Sequence, residues 1–344
     1  VTVPDSHDER DPRAERGTLA TIERTPSRPG RLPEWTRPVV AGYHVPVPRL
    51  AVALALLIGI TVFNPGAFGW ALAVSAMIAV VPVHRLRSFA VAFIPYGAAW
   101  LIFTLLRSYA DETSIPLQTD AITAIERALF FGVIPTIWLQ NHLYDPLHPA
   151  WYDYLTTFIH WSYFFVPHVM AVVLWLKHRE LFRRYLLSTI LLLFIGLLVY
   201  FLSPAEPPWL TASGAPEDDI FRVMATVGRQ INSSLYDRTY SAIGDPNPIA
   251  AMPSMHQAIT FLVALFALKL GRWWGIVGMT YALAMAFSLV YTGEHYVLDA
   301  LVGSALALYC YYLSGQWLAS VPAVFRLFRR DTPELHERAP RPLT

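Results

Sequence analysis

Two short segments of this chain hold residues suited to chemistry on a phosphate ester. One reads Met252-Pro253-Ser254-Met255-His256, and the other Tyr291-Thr292-Gly293-Glu294-His295-Tyr296-Val297-Leu298-Asp299. Each sits where a polar loop meets a long apolar run. Two imidazoles and a carboxylate can supply a nucleophile, an acid and a base. His295 and Asp299 are four residues apart, which puts both side chains on one face of a helix. Asp299 can then accept the proton of one ring nitrogen and leave the other with a free lone pair. That second nitrogen is a nucleophile or a base. Asp299 also stabilises positive charge developing on the ring.

Ser254 directly precedes an apolar helical run and is a natural N-cap. The unpaired N–H groups of the first turn, aided by the helix dipole, make an anion site. His256 lies in that turn and can protonate a leaving alkoxide. Each residue also has a plainer reading. Ser254 alone is accounted for as a cap. A single His near a membrane helix end, such as His160 or His168, is as readily an interfacial residue. The joint pattern of two histidines at helix ends, one with a carboxylate a turn away, is harder to dismiss. His256, His295 and Asp299 are also zinc-ligand types. No His-Glu-x-x-His pattern or Cys pair accompanies them, which disfavours zinc without excluding it, and no cofactor is expected.

The elements that position these residues follow from composition. The chain has 344 residues, 55% of them hydrophobic, and a mean hydropathy of +0.40. Charged residues make up 15%, against roughly 25% in soluble domains. This is the balance of a membrane protein. A net charge of +1 gives a nucleic-acid partner no electrostatic support. Cys310 is the sole cysteine, which excludes a disulfide framework and a cysteine zinc site. Only Lys177 and Lys269 are Lys among the basic residues, Ala is abundant, and the chain begins with Val. Together these fit a GC-rich bacterial gene whose GTG start codon is read as valine.

The expected fold is all-α, a polytopic transmembrane helix bundle. Residues 1–48 are polar and rich in Pro and Arg, and read as a disordered cytoplasmic tail. They lack the early apolar stretch of a signal peptide. Apolar runs follow at about 50–63, 67–83, 89–106, 154–176, 185–202, 255–270, 273–292 and 297–319. The first two flank Asn64-Pro65-Gly66 and form a hairpin over 49–84, as two spans or as a re-entrant pair. A membrane-embedded catalytic domain then covers 85–320, and 321–344 is a second cytoplasmic tail. The count is eight spans, or six plus the hairpin. Segment 120–140 has polar residues at helical intervals and suits an amphipathic helix in the interface. Trp138, Trp151, Tyr152 and Tyr154 suit an outer aromatic belt.

With both termini cytoplasmic, 21 of the 26 Lys and Arg residues fall inside, as the positive-inside rule requires. The loops 108–153 and 203–254 and both histidine segments then face outward from the cell membrane. The outward arginines are Arg107, Arg127, Arg222, Arg229 and Arg238. A phosphate needs cations, so Arg107 at a span end, then Arg222, Arg229 and Arg238, are substrate-binding candidates. Arg107 is equally readable as a snorkelling residue. His160 is a candidate for acceptor binding.

These residues resemble the signatures of the type 2 phosphatidic acid phosphatase superfamily, P-S-G-H and S-R-x-x-x-x-x-H-x-x-x-D. Pro253-Ser254-Met255-His256 matches the first with Met for Gly. Ser288, His295 and Asp299 match the second, with Leu289 in place of Arg. The forms P-S-[ML]-H and H-Y-x-x-D, with Pro204-Ala205-Glu206-Pro207-Pro208-Trp209, are similar to the aureobasidin-resistance-type inositol phosphorylceramide synthases and their bacterial, inositolphosphotransferase-like relatives. The resemblance covers about 85–315. The superfamily's K-x-x-x-x-x-x-R-P signature is missing. Lys177 and Arg184 have its spacing, but Tyr185 follows and both fall on the cytoplasmic side, so they read as topology charges.

The resemblance implies a six-helix phosphatase-like core and a metal-independent mechanism. His295 would attack phosphorus to form a phosphohistidine, and Asp299 would orient it. His256 would protonate the leaving group and then activate an acceptor. Ser254 would help hold the phosphoryl oxygens. The expected substrate is a phospholipid or polyprenyl phosphate in the lipid bilayer. The acceptor is an alcohol such as inositol or a lipid-linked sugar, or else water, which would make the protein a phosphatase. A lipid transporter is a rival of another class. It is disfavoured because spans after 185 carry almost no ionisable residue at mid-depth. A membrane-embedded metal hydrolase is a third reading, separable by chelators.

Overall fold

The computed structural model describes residues 48, 51–53, 55, 81, 85–211, 220–232 and 249–320. The 1–48 and 321–344 tails, apart from residue 48, nearly all of the 49–84 hairpin, and Arg238 lie outside the described residues. Among the described residues the chain is helical, without a β-strand; an isolated bridge joins Ala205 and Ala250. The helices are α1 (Leu86–Arg107), α2 (Thr119–Leu129), α3 (Pro135–Leu143), α4 (Trp151–Trp161), α5 (Val166–Lys177), α6 (Arg179–Leu202), α7 (223–232), α8 (Met255–Leu270), α9 (Arg272–Tyr291) and α10 (Val297–Ser320).

Four helices, α1, α6, α9 and the Val297–Trp317 part of α10, are long and apolar enough to cross a membrane. Each has 20 or more residues, or about 30 Å at 1.5 Å per residue, the thickness of the hydrocarbon core. Large apolar side chains such as Ile94, Leu101, Leu198, Val277 and Leu283 are exposed on the outside of the bundle. Facing inward are Trp175, Tyr185, Leu192, Ile259, Leu262 and Phe266, all fully buried. Apolar residues on both faces are what a helix between a core and lipid requires. The protein is a multi-pass membrane protein of the all-α class.

Two of the expected spans differ in detail. The run 154–176 is not one straight helix: α4 with its 3₁₀ turn Ser162–Phe164 meets α5 at a 48° bend. Pro167 lies in the first turn of α5, where its missing N–H costs nothing; it also disfavours helical geometry at Val166. The run 255–270 forms α8, which has 16 residues, about 24 Å, and is short for a span.

Segment 120–140 folds as two short helices rather than one. Phe131 and Gly132, both at positive φ, turn the chain between α2 and α3. Glu126 of α2 and Gln140 of α3 face inward and are buried, whereas Asp120 and Arg127 of α2 are exposed, so α2 is amphipathic and two of the polar interruptions are partners of the bundle.

The helices alternate in direction, which gathers chemistry at one end. The C-terminal ends of α1, α6 and α9 lie with the N-terminal ends of α8 and α10. Lys177 and Arg184 stand at the opposite end. Arg184 Nη2 donates to the Tyr311 carbonyl at 2.9 Å, and its guanidinium lies 3.9 Å over the Tyr311 ring.

Candidate active site

The two histidine segments are stitched together by backbone hydrogen bonds. The Ser254 N–H donates to the Asp299 carbonyl at 3.1 Å, so the start of α8 rests on the first turn of α10. Gly303, one turn deeper in α10, makes this approach possible: a Cβ there would lie 2.4 Å from the Ser254 carbonyl oxygen. The Pro204–Trp209 segment joins both loops. Ala205 N–H donates to Ile249 O and Ala251 N–H to Ala205 O, while Trp209 N–H donates to Gly293 O. Gly293 sits at φ +80°, the left-handed region open to glycine, where the chain turns out of α9 towards His295. Gln140 clamps the outer side. Its Nε2 donates to the carbonyls of Phe221 and Tyr291, and its Oε1 accepts the Phe221 N–H.

This scaffold brings His160, His256 and His295 into a row. The His160 and His256 ring centroids are 4.6 Å apart, and those of His256 and His295 are 5.8 Å apart. Tyr163 packs 4.4 Å from His256. His295 Nδ1 is 3.4 Å from Asp299 Oδ2, and both residues are buried. The same Oδ2 accepts the Tyr296 N–H at 2.9 Å. Asp299 therefore does two things at once: it caps the backbone at the start of α10 and faces the imidazole. Its Oδ1 has no hydrogen-bond partner.

Ser254 is the N-cap of α8 and accepts the Gln257 N–H at 3.3 Å. His160 is buried, with Nδ1 lacking a partner. His168, by contrast, is a satisfied core residue bound to the Tyr96 hydroxyl at 2.8 Å.

The arginine candidates separate. Arg222 pairs in bidentate fashion with Glu294, Nε to Oε1 at 2.7 Å and Nη2 to Oε2 at 3.3 Å. Its guanidinium lies 4.4 Å over the Trp209 ring. The pair stands beside His295 by sequence; on His160 the Glu294 charge outweighs that of Arg222, and the Arg222 charge also reaches His256. Arg107, half-buried at the end of α1, acts electrostatically on His256, Tyr163 and Tyr200. Arg229 is exposed on α7.

Glu126 is a site neighbour that sequence reasoning missed as a functional residue. It is fully buried, and its Oε1 accepts the Val297 N–H at 3.2 Å, closing the N-terminus of α10 from another helix. Burial pushes its carboxyl up to about 7 from an ordinary 4.5. The nearby Asp299 adds to the rise, and the Val297 N–H opposes it. In the sequence it is one of several charges in an amphipathic stretch, and no local signal separates it from Asp120. Asp153 is similar: buried, it accepts the Ala150 N–H at 2.7 Å and the Tyr291 hydroxyl. Among the described residues no three His, Cys, Asp or Glu side chains converge as metal ligands would.

Imidazoles side by side, one of them facing a carboxylate, with arginine charge at the same end of a helix bundle, are groups that can serve phosphoryl transfer. Residues 120–313 match the family model of the PAP2 superfamily. The chain belongs to the PAP2 superfamily. The match runs from α2 to the middle of α10 and so takes in both histidine segments. Beyond it, the chain is similar to a phosphoinositol dihydroceramide synthase of Bacteroides thetaiotaomicron, 24% identical over 234 residues, covering 64% of this chain and 75% of the relative. No solved structure matches the chain. The family and the synthase support an enzyme acting on a lipid phosphate.

Proposed function

We propose that this PAP2 protein transfers a phospho-alcohol group from a lipid phosphate ester to an alcohol through a phosphohistidine. The observation that carries the reading is the row of imidazoles, with His256 5.8 Å from a His295 that faces Asp299. With Nδ1 bonded to Asp299, His295 Nε2 attacks phosphorus. A P–N bond forms, the P–O bond to the lipid alkoxide breaks, and His256 gives that oxygen its proton. In the second half, His256 takes the proton of the acceptor hydroxyl. The acceptor oxygen bonds to phosphorus and the P–N bond breaks. Asp299 stabilises the charged imidazole in both halves. Arg107 and Arg222 balance the phosphate charge, and Ser254 holds the first turn of α8 against it. His160, buried next to His256, binds the acceptor hydroxyl. No step requires a metal.

The similar synthase is named for a product that joins phosphoinositol to dihydroceramide. This favours transfer over hydrolysis, with an inositol-bearing headgroup on one partner. Water in place of the alcohol gives a lipid phosphate phosphatase, which stands as the second reading because the superfamily match takes in both histidine segments and names no acceptor.

We place the active site at the outer face of the cell membrane with both termini cytoplasmic. At the end opposite the histidines the described helices carry Arg85, Arg87, Lys177, Arg179, Arg183, Arg184, Lys269 and Arg272. The histidine end has Arg107, Arg127, Arg222 and Arg229. That asymmetry is the positive-inside pattern. The 1–48 tail, the 49–84 hairpin and the 321–344 tail complete the proposed organisation around an 85–320 catalytic domain.

The test is product analysis. Purified protein in nanodiscs is given phosphatidylinositol, phosphatidic acid or a polyprenyl phosphate, with a lipid alcohol or free inositol, with and without EDTA. Mass spectrometry should find a new phosphodiester, unaffected by EDTA. Release of phosphate alone would establish the phosphatase, and loss of activity in EDTA would overturn the metal-free route.

A further inference from the structure

At the end of the bundle away from the histidines, the first turns of α1 and α6 meet. α1 runs 22 residues from Leu86 to Arg107, so this place is about 33 Å from its Arg107 end at 1.5 Å per residue. Arg179 opens α6. Its Nη2 donates to Ser88 Oγ in the first turn of α1 at 3.0 Å, and its guanidinium lies 4.2 Å over the Trp175 ring. Phe89 braces that ring edge-on at 5.4 Å, and both aromatics are buried. The charges of Arg85, just before α1, and of Arg183, one turn into α6, both act on Arg179. Three guanidiniums from the starts of two helices thus gather beside an aromatic floor.

Little negative charge answers them. The first turn of α1 has no acid, and neither α1 nor α6 has a side-chain cap at its start. Among the described residues the carboxylate that pairs with the group is Glu180, 3.7 Å from Arg183, with its side chain 44% exposed. Arg85 Nε is buried without a hydrogen-bond partner. A buried donor in that state costs free energy that an acceptor oxygen restores. An arginine that serves only topology extends its head into water. Arg179 instead lies back on Trp175 and Ser88, and Arg85 holds its Nε out of water.

The chemistry that fits is a phosphate, whose oxygens accept from forked guanidinium donors and are favoured at helix starts. The position selects its source. α1 and α6 are both long and apolar enough to cross a membrane, so their first turns stand at the height of lipid headgroups. Arg87, Val91 and Ile94 follow one another along one exposed face of α1, Ile94 being 66% exposed, so apolar surface for hydrocarbon chains runs inward from the cluster.

We propose that Arg85, Arg179 and Arg183 bind the phosphate of an anionic phospholipid in the leaflet opposite the histidines. This second lipid site is a membrane's thickness from the reacting one and does not depend on the phosphotransfer reading.

The full chain in a neutral detergent is given phosphatidylglycerol or phosphatidylcholine with the same chains, and bound lipid is measured by native mass spectrometry over a concentration series. Phosphatidylglycerol should bind more tightly, because the choline cation of the other lipid meets three guanidiniums. Arg85→Gln combined with Arg179→Gln should weaken it by about ten- to a hundredfold, the span of one charge-assisted hydrogen bond. Arg183→Glu leaves the Trp175 and Ser88 contacts in place and should show a loss of the same order, which keeps the test decisive if the double variant does not fold. Arg127→Gln, exposed at the histidine end, should bind as wild type. Glycerol 3-phosphate in excess should not displace the lipid, whose chains add to the hold; displacement would make the occupant a soluble phosphate ester and overturn the lipid. Equal binding of the two lipids, phosphatidylglycerol binding unchanged in Arg183→Glu, or the same loss in Arg127→Gln would overturn the site.

Discussion

Replacing Asp299 with Asn separates its two jobs. Asp299 Oδ2 accepts the Tyr296 N–H at 2.9 Å and faces His295 Nδ1 at 3.4 Å. An Asn oxygen in the same place still accepts from Tyr296, so the cap survives. Its amide nitrogen then takes the position of Oδ1, which has no partner to lose. The stability cost should be about 1 kcal/mol or less, at the low end for a lost cap. The negative charge is gone, however. At 3.4 Å and an effective dielectric of about 20, a carboxylate stabilises an imidazolium by about 5 kcal/mol. At 1.36 kcal/mol per decade this is about 5,000-fold in rate, near the roughly 10⁴-fold of the equivalent change in a serine-protease triad. Initial rates on the lipid phosphate that turns over, with thermal unfolding of the same preparations, read both quantities. His295→Ala should be inactive, and adding Asp299→Asn to it should cost little more, because residues acting as a unit are non-additive. An Asp299→Asn protein with wild-type unfolding and near-normal turnover would reduce Asp299 to a helix cap and refute the reasoning.

Other outcomes follow from the same geometry. Gly303→Ala drives a Cβ to 2.4 Å from the Ser254 carbonyl, a backbone atom that cannot swing aside; it should cost about 1–3 kcal/mol and most of the turnover, and wild-type values for both would show that the contact yields. Glu126 binds its proton more tightly folded, at about 7, than at its ordinary 4.5, so its contribution to stability is complete below about pH 4.5 and is lost as pH rises to about 7. Relative to Glu126→Gln, the wild-type unfolding temperature should therefore fall across that window and run parallel above it; parallel curves throughout would mean the carboxyl is not shifted. Cys at position 147, on an exposed loop of the histidine end, should react with an impermeant thiol reagent outside intact cells, and Cys at 178 should not, with buried Cys310 silent. The reverse pattern would put the site in the cytoplasm.

Much of this arrangement is legible from apolar runs and spacing. The runs at 89–106, 185–202, 273–292 and 297–319 lie where α1, α6, α9 and α10 form, because a helix facing lipid needs an unbroken apolar stretch. The bend between α4 and α5 is less legible: Pro167 marks a boundary, yet hydropathy runs through it unchanged. The interhelix polar contacts are hidden for a different reason. Gln140, Asp153 and Glu126 occur in stretches that look solvated, and only the tertiary fold turns them onto α9 and α10. Ser254, His256, His295 and Asp299 stand out by spacing alone. That His160 joins them is a fact of packing across α4 and α8, which its sequence neighbours do not announce. Arg222 could be picked out because outward cations are few, but its pairing with Glu294 could not.

The central claim is a covalent intermediate on His295, and trapping it is the most direct test. Wild-type protein and a His256→Ala variant are mixed with a labelled lipid phosphate ester bearing a good leaving group, quenched at alkaline pH, where phosphohistidine survives, and digested for mass spectrometry. The account predicts the transferred group on the peptide containing His295, with slower discharge in His256→Ala because the acceptor is no longer deprotonated. His295→Ala should carry no label. Label on another residue, or none while wild-type protein turns over the lipid in the same mixing experiment, would contradict it.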